Sequence, residues 1–226
     1  EAGRNLTTGD SNTALGRNAL DKAVTGDENT VVGALAGRDI TSGAKNTGVG
    51  VYACAAVTTG NNNSALGHGA LPSNTTGSGN VALGYSTLNQ NTTADDNTAV
   101  GLSAMQQTTT GAYNVAVGAR ALYTNTTGRN NAALGQDALR YNTTGSLNTG
   151  LGNRSLYQNT TANDNTGVGH NSLQATTTGD GNVGVGCSAL AANTTGAGNV
   201  AVGSAALGAN TTGSNSVAIG LNALQA

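Results

Sequence analysis

The 226-residue chain has no tryptophan or phenylalanine, one proline, one methionine, two cysteines and two histidines. Each shortage excludes something. A globular core of this size draws on bulky aromatic side chains; here the apolar residues are Ala, Leu and Val, which argues against an ordinary globule. Charged residues make up 9% of the chain, the net charge is −2, and the nine Lys and Arg are scattered along the sequence. That leaves no electrostatic footprint for nucleic acid or an anionic membrane surface. No apolar run approaches the ~20 residues that span a bilayer, so membrane insertion by this segment is not expected. Neither an initiator methionine nor a signal peptide is present. The expectation is a processed form or a piece of something longer. Low charge with 35 glycines would suit a disordered chain, and glycine at every third position would suit collagen. Neither pattern is followed.

What is present is a repeat. Glycine recurs at 16, 33, 50, 67, 84, 101, 118, 135, 152, 169, 186, 203 and 220, always at the same interval, with no insertion or deletion. Asparagine stands four residues before it in twelve of the thirteen copies, the exception being Ser216, and Leu, Val or Ile stands immediately before it in all thirteen. Disorder does not hold an apolar residue at fixed phase over a whole chain. A strict period of this length is the mark of a solenoid. The organisation read from it is one domain over 1–226, with a partial repeat at 1–11, divergent repeats at 12–62 and regular repeats at 63–226.

The expected fold is all-β, a parallel β-solenoid of thirteen 17-residue coils with two short strands in each. In the repeat at 80–96, Asn80-Val81-Ala82-Leu83 reads as the first strand. Val81 and Leu83 share one face and Ala82 the other, because side chains alternate. The second strand is read through Thr87-Leu88 to Asn91-Thr92-Thr93, where β-branched Thr suits extended backbone. Leu occupies the fourth position after the glycine in ten copies and is the expected core partner of the Val and Leu in the first strand. The invariant Gly and the Gly of Asn-Thr-Thr-Gly read as corners with positive φ. The Asn column reads as a ladder of amides.

The residue between the two strand apolars is Ala or Gly in twelve of thirteen copies. A column so small implies that another backbone approaches it. One coil buries too few large side chains to offset the ordering of a whole repeat, so that backbone is expected to be an identical chain. Ala82, Ala99, Ala116, Ala133, Gly150, Gly167, Gly184, Ala201 and Ala218 are therefore the expected oligomer-interface residues. Neither end carries a recognisable cap, which suggests flanking fibre domains or end-to-end stacking.

The repeat resembles the head of trimeric autotransporter adhesins, the YadA-type β-roll. Asn-Ser-Val-Ala-Ile-Gly at 215–220, Asn-Val-Ala-Val-Gly at 114–118 and 199–203, and Asn-Thr-Ala-Val-Gly at 97–101 carry the resemblance, together with Ala223 and Leu224. Similar repeats occur in bacteriophage tail fibres and large bacterial surface proteins. The resemblance implies a left-handed roll, three chains with roughly parallel axes, and an extracellular location on a bacterial surface or virion. The Asn-Thr-Thr-Gly arm departs from the shorter adhesin repeat.

Chemistry is sparse. His68 and His170 each follow an invariant glycine six coils apart, about 29 Å at strand spacing, and cannot form one metal site within a chain. Cys54 and Cys187 lie some eight coils apart, roughly 40 Å at the same spacing, beyond disulfide reach. Asp95-Asp96 and Asn163-Asp164 lie in turns without a calcium-binding repeat. No Ser/His/Asp grouping, paired Glu or phosphate loop occurs, so no enzyme activity, cofactor or metal is expected. A longer period of four repeats links Glu28, Asp96 and Asp164 and reads as block duplication. Variation gathers one, two, five and six residues after the invariant glycine. Tyr52, Tyr85, Tyr123, Tyr141, Tyr157, Arg120, Arg140 and Arg154 lie at those positions, and these residue types make binding contacts. The expected function is structural and adhesive: a segment of a trimeric extracellular or virion fibre, displaying a surface for a host-cell receptor or glycan. The alternatives are an ice-binding Thr-ladder solenoid and a self-assembling filament subunit.

Overall fold

The computed structural model describes residues 1–3, 5 and 7–225. Arg4 and Leu6 of the partial repeat, and Ala226, lie outside the described residues. The described chain is all-β, a parallel β-solenoid that advances one repeat per turn. It divides into two compact units, residues 1–113 and 114–226.

The first unit carries β1 (Thr13–Leu15), β2 (Thr30–Val32), β3 (Thr47–Val49), β4 (Ser64–Leu66), β5 (Val81–Leu83) and β6 (Thr98–Val100). Each pairs in parallel with the next at a shift of one repeat, so Ala65 faces Ala82 and Leu66 faces Leu83. The second unit repeats the arrangement with β7 (Val115–Val117), β8 (Ala132–Leu134), β9 (Thr149–Leu151), β10 (Thr166–Val168), β11 (Val183–Val185), β12 (Val200–Val202) and β13 (Val217–Ile219). In it Val117 faces Leu134 and Val185 faces Val202.

Each coil has one strand, not two. The segment expected as a second strand is a run of turns and bends, because the backbone is left-handed within it and just before it. Ser86 has φ 51° and Leu88 φ 46°, and the same columns hold left-handed values in the other coils. Extended dihedrals are incompatible with this. Coils still bond to one another here, with the Leu139 amide donating to the Ser155 carbonyl at 2.9 Å and Thr143 to Thr160 at 2.8 Å. The β propensity of Thr is therefore met by inter-coil pairing without a strand.

The two glycine columns do different jobs. The invariant glycine is left-handed throughout, with φ 134° at Gly118, and a Cβ there would lie 2.6 Å from the Gly135 carbonyl carbon. The glycine of Asn-Thr-Thr-Gly has no left-handed φ, contrary to expectation. It is small because coils press together: a Cβ on Gly128 would meet the Gly145 oxygen at 2.3 Å. Ala94 and Ala162 fill this column in two coils and are buried.

The strand faces are also reversed from the sequence expectation. Ala82, Ala99, Ala116, Ala133, Gly150, Gly167, Gly184, Ala201 and Ala218 are buried inside their own coil, so the interface role does not fall to them. The backbone approaching this column belongs to the turn of the same chain. A Cβ on Gly150 would lie 3.3 Å from the Ser155 carbonyl and 3.4 Å from Leu139. The interior is thin: a leucine column (Leu122, Leu139, Leu156, Leu173, Leu190) and a small-residue column pack against the strand. Where the small column holds Ser, the strand holds Gly. Ser155 Oγ donates to the Gly167 carbonyl and Ser172 Oγ to Gly184, each at 2.8 Å, and a Cβ on either glycine would strike that hydroxyl.

Two buried asparagine ladders close the coil. In the first, Asn131 donates from both its amide N and its Nδ2 to Asn114 Oδ1, at 2.9 and 3.1 Å, and from Nδ2 to the Gly145 carbonyl at 2.9 Å. Asn63 repeats this on Asn46 in the first unit. In the second, Asn142 Nδ2 donates to Asn125 Oδ1 and to the Gly145 carbonyl, both at 2.9 Å. Buried amides in such columns are satisfied along the stack, as buried polar groups generally are, except at Asn91 Oδ1 and Asn159 Oδ1, which have no partner among the described residues.

Candidate functional site

Because the middle residue of each strand faces in, the flanking residues face out. The column before the invariant glycine is apolar in every coil and open to solvent. In the first unit Leu15, Leu66 and Leu83 are exposed, with Val32, Val49 and Val100 half-buried. In the second, Val117, Leu134, Val202 and Ile219 are exposed, with Leu151, Val168 and Val185 half-buried. Val115 and Val217 add to this face from the first strand position. Leu134 is 43% exposed beside fully buried Ala133, which fixes the orientation of the sheet.

The corner after the strand carries the variable residues. In the first unit Tyr52, His68 and Tyr85 stack on successive coils, with ring centroids 6.2 Å apart at 73° and then 5.5 Å apart at 17°. Tyr52 and Tyr85 are exposed. In the second unit, three coils bring Arg120, Tyr123, Arg140, Tyr141, Arg154 and Tyr157 into one cluster. The organiser is Asp137, which the sequence reading did not single out. It is buried and accepts from Arg120 Nε and Nη2 at 2.8 and 3.0 Å and from Arg140 Nη1 at 3.2 Å. The Arg120 hydrogen bonds hold the Asp137 carboxyl below its usual range, and the same bonds in turn raise Arg120. The signal for Asp137 was available: it is the one acidic residue in its column across the thirteen full repeats and lies one repeat from Arg120 and one from Arg154.

Arginines lie over rings throughout the cluster. Arg140 Cζ is 5.9 Å from the Tyr123 centroid and 5.2 Å from that of Tyr141, and Arg154 Cζ is 5.5 Å from Tyr157, distances at which a cation is attracted to a ring face. Tyr141 and Tyr157 meet edge to face at 5.0 Å. A hydrogen bond with Tyr141 raises the Tyr157 hydroxyl above its usual pKa.

Cys54 is buried, and burial pushes its thiol up to about 12. Cys187 is exposed, with its Sγ 3.9 Å from His170 Nδ1 on the preceding coil. Among the described residues no group of three or more His, Cys, Asp or Glu could hold a metal ion, and no helix is long and apolar enough to cross a membrane. Comparison with family models, with curated proteins and with solved structures returned no match.

Proposed function

We propose that the chain is a structural and adhesive segment of an extracellular fibre, on a bacterial surface or a virion, whose copies associate through the outward Val and Leu columns of the sheet. The observation that carries this reading is the apolar sheet face itself. A soluble chain rarely leaves a continuous apolar face open, and this one recurs on every strand of each unit. Its natural occupant is the same face on another copy, since a regular ladder of Leu and Val is complementary in spacing to itself. The resemblance to the trimeric adhesin head supplies the number three and a left-handed roll. The contact residues are then Val117, Leu134 and Leu151 in the second unit, and Leu66, Leu83 and Val100 in the first, in place of the Ala and Gly column.

Native mass measurement tests this. Each chain is 22.0 kDa, and a trimer weighs three times that. Leu134→Glu combined with Leu151→Glu is expected to shift the population to monomer while leaving the coil intact, because both side chains point outward. A wild-type chain that stays monomeric at ~100 μM, where contacts of even modest affinity assemble, overturns the reading.

The threonine ladder favours no second reading. The first hydroxyl of each pair donates to the next coil, as Thr143 Oγ1 does to the Thr160 carbonyl at 2.9 Å. In the inner coils the first column is half-buried and the second, including Thr144, Thr161 and Thr178, is exposed. A thermal-hysteresis measurement is expected to show no activity.

A further inference from the structure

We propose that the arginine–tyrosine corner of the second unit is a binding site for a carboxylated or sulfated oligosaccharide. The proposal deepens the adhesive part of the reading above by naming a site and a ligand class. Its residues fall in two columns. The second residue after the invariant glycine is Arg120, Asp137 and Arg154 on three successive coils; the fifth is Tyr123, Arg140 and Tyr157.

The repeat supplies its own control. The next three coils place Asn171 and Gln174, Ser188 and Ala191, and Ala205 and Gly208 in the same two columns. Their second-position residues hold the same left-handed backbone, with φ 55° at Asn171, 55° at Ser188 and 53° at Ala205, against 56° at Arg120 and 54° at Arg154. The coil therefore has no need of arginine or tyrosine at this corner. In a chain of 9% charged residues, three guanidiniums and three tyrosines on three neighbouring coils are an addition to the fold.

The charge is unbalanced in one direction. Asp137 is engaged by Arg120 and Arg140, and among the described residues no carboxylate lies within ion-pair distance of Arg154. Arg154 is exposed, and its guanidinium is held over the Tyr157 ring. The cluster carries three positive charges to one negative within a chain whose net charge is −2. A guanidinium fork is matched to planar or tetrahedral oxyanions such as carboxylate and sulfate. The buried Asp137 anchor and the ring contacts fix these side chains before any ligand arrives, which lowers the ordering cost of binding.

The rings select sugar over an acidic peptide. Tyr141 is exposed at the same corner, with Tyr157 edge to face and Arg140 over its ring, and its exposed part offers an aromatic surface of the kind the C–H face of a pyranose covers. Successive coils are offset by ~4.8 Å, close to the length of one sugar residue, so neighbouring sugars of a linear chain meet neighbouring coils. A repeating acidic sugar then offers an anion to Arg154 and a ring face to Tyr141 at once.

Isothermal titration of the full chain tests this with four probes: a heparin-derived hexasaccharide, a hyaluronan hexasaccharide, maltohexaose and hexaglutamate. The expected result is saturable binding of the sulfated or the carboxylated sugar, weaker binding of the neutral sugar and the peptide, and at least a ~10-fold loss of affinity between about 0.05 and 0.5 M NaCl. Hyaluronan carries carboxylate alone and heparin carries both groups, so comparable binding of the two identifies carboxylate as sufficient, and binding of the heparin fragment alone assigns the need for sulfate. Arg154→Ala and Tyr157→Gln are each expected to weaken binding by ~10-fold or more. Both place a residue type that the same column already holds elsewhere in the unit, at Ala205 and Gln174, so the coil is retained. Arg129→Ser, outside the cluster, is expected to change nothing. Absence of saturable binding by both acidic sugars, equal affinity for hexaglutamate, or full affinity in both cluster variants overturns the proposal. The two proposals fail separately. A monomer that binds the sugar removes the fibre, and an assembled chain that ignores it removes the site.

Discussion

Leucine is costly in a left-handed backbone, yet Leu122, Leu139, Leu156, Leu173 and Leu190 all hold φ between 50° and 53°. The conformation costs an L-residue ~1–2 kcal/mol, and burial of a leucine side chain returns ~1.5–3 kcal/mol, so the core column wins. Two residues earlier the same conformation recurs without that return. Ala205 sits at φ 53° with only a methyl group. Ala205→Gly is therefore expected to stabilise the chain by ~0.5–1 kcal/mol, the relief of strain exceeding the added entropy of the unfolded glycine, seen as a higher urea midpoint. Gly118→Ala goes the other way, by ~2 kcal/mol or more, since its Cβ would press on the backbone of Gly135. The thiols divide on burial. At neutral pH a thiol-reactive disulfide dye is expected to label one cysteine, Cys187, in the folded chain and both after unfolding. Cys54 also gives a pH signature. An unfolded thiol ionises near pH ~8.5, while folded Cys54 holds its proton to about 12. Its contribution to stability is full below pH ~8.5 and is lost as pH rises towards the folded value. Cys54→Ala should flatten the alkaline limb of a stability–pH curve.

The elements most open to test are the asparagine ladders, because the second is broken at regular places. Thr108 and Thr176, four repeats apart, stand where the other regular coils carry Asn. Their hydroxyls are buried without a hydrogen-bond partner among the described residues, and so are Asn91 Oδ1 and Asn159 Oδ1, each one coil before. The long period thus has a structural consequence: each block ends on an unsatisfied rung. Thr176→Asn would let Nδ2 donate to Asn159 Oδ1 and let its own Oδ1 accept from Asn193 Nδ2. It is expected to stabilise by ~1–3 kcal/mol, the cost of a buried orphan, with a melting temperature several degrees higher. The period, the parallel stacking, the corner glycine and the first ladder were legible in the sequence because each is a column property, and columns repeat. Which face of the strand points inward was not. Alternation separates Val81 and Leu83 from Ala82 but does not say how thick the coil is, and a coil of one leucine layer accepts only the small column. The second strand was misread for a related reason: Thr favours extended backbone, and nothing in its composition reports the left-handed turns at Ser86 and Leu88. Within the site, Tyr and Arg stood out by residue type. Asp137 and the convergence on it emerge only when positions one repeat apart are laid side by side.

At the scale of the molecule, two surfaces of opposite chemistry leave the coil, and salt should separate them. The outward Val and Leu face has no charge of its own in the strand columns from Val115 to Val202, so the association proposed through it would rest on removing apolar area from water. The sugar binding proposed at the corner cluster would rest on guanidinium–anion attraction at an exposed surface. Raising ionic strength screens exposed charges within a Debye length that shrinks from ~10 Å at 0.1 M to ~3 Å at 1 M, and strongly excluded salts such as sulfate strengthen apolar burial. Self-association measured by sedimentation should therefore hold constant in sodium chloride and tighten in sodium sulfate, while oligosaccharide binding weakens in both. The variants should separate in the same way. Leu134→Glu with Leu151→Glu removes the assembly and leaves the intrinsic affinity of each corner for the sugar, because Arg120, Asp137, Arg140 and Arg154 lie beyond the strand. Arg154→Ala removes sugar binding and leaves the mass of the assembly unchanged. An assembly that dissolves at high sodium chloride would mean that charge pairs hold the copies together, and would move the interface from the sheet face to the corner.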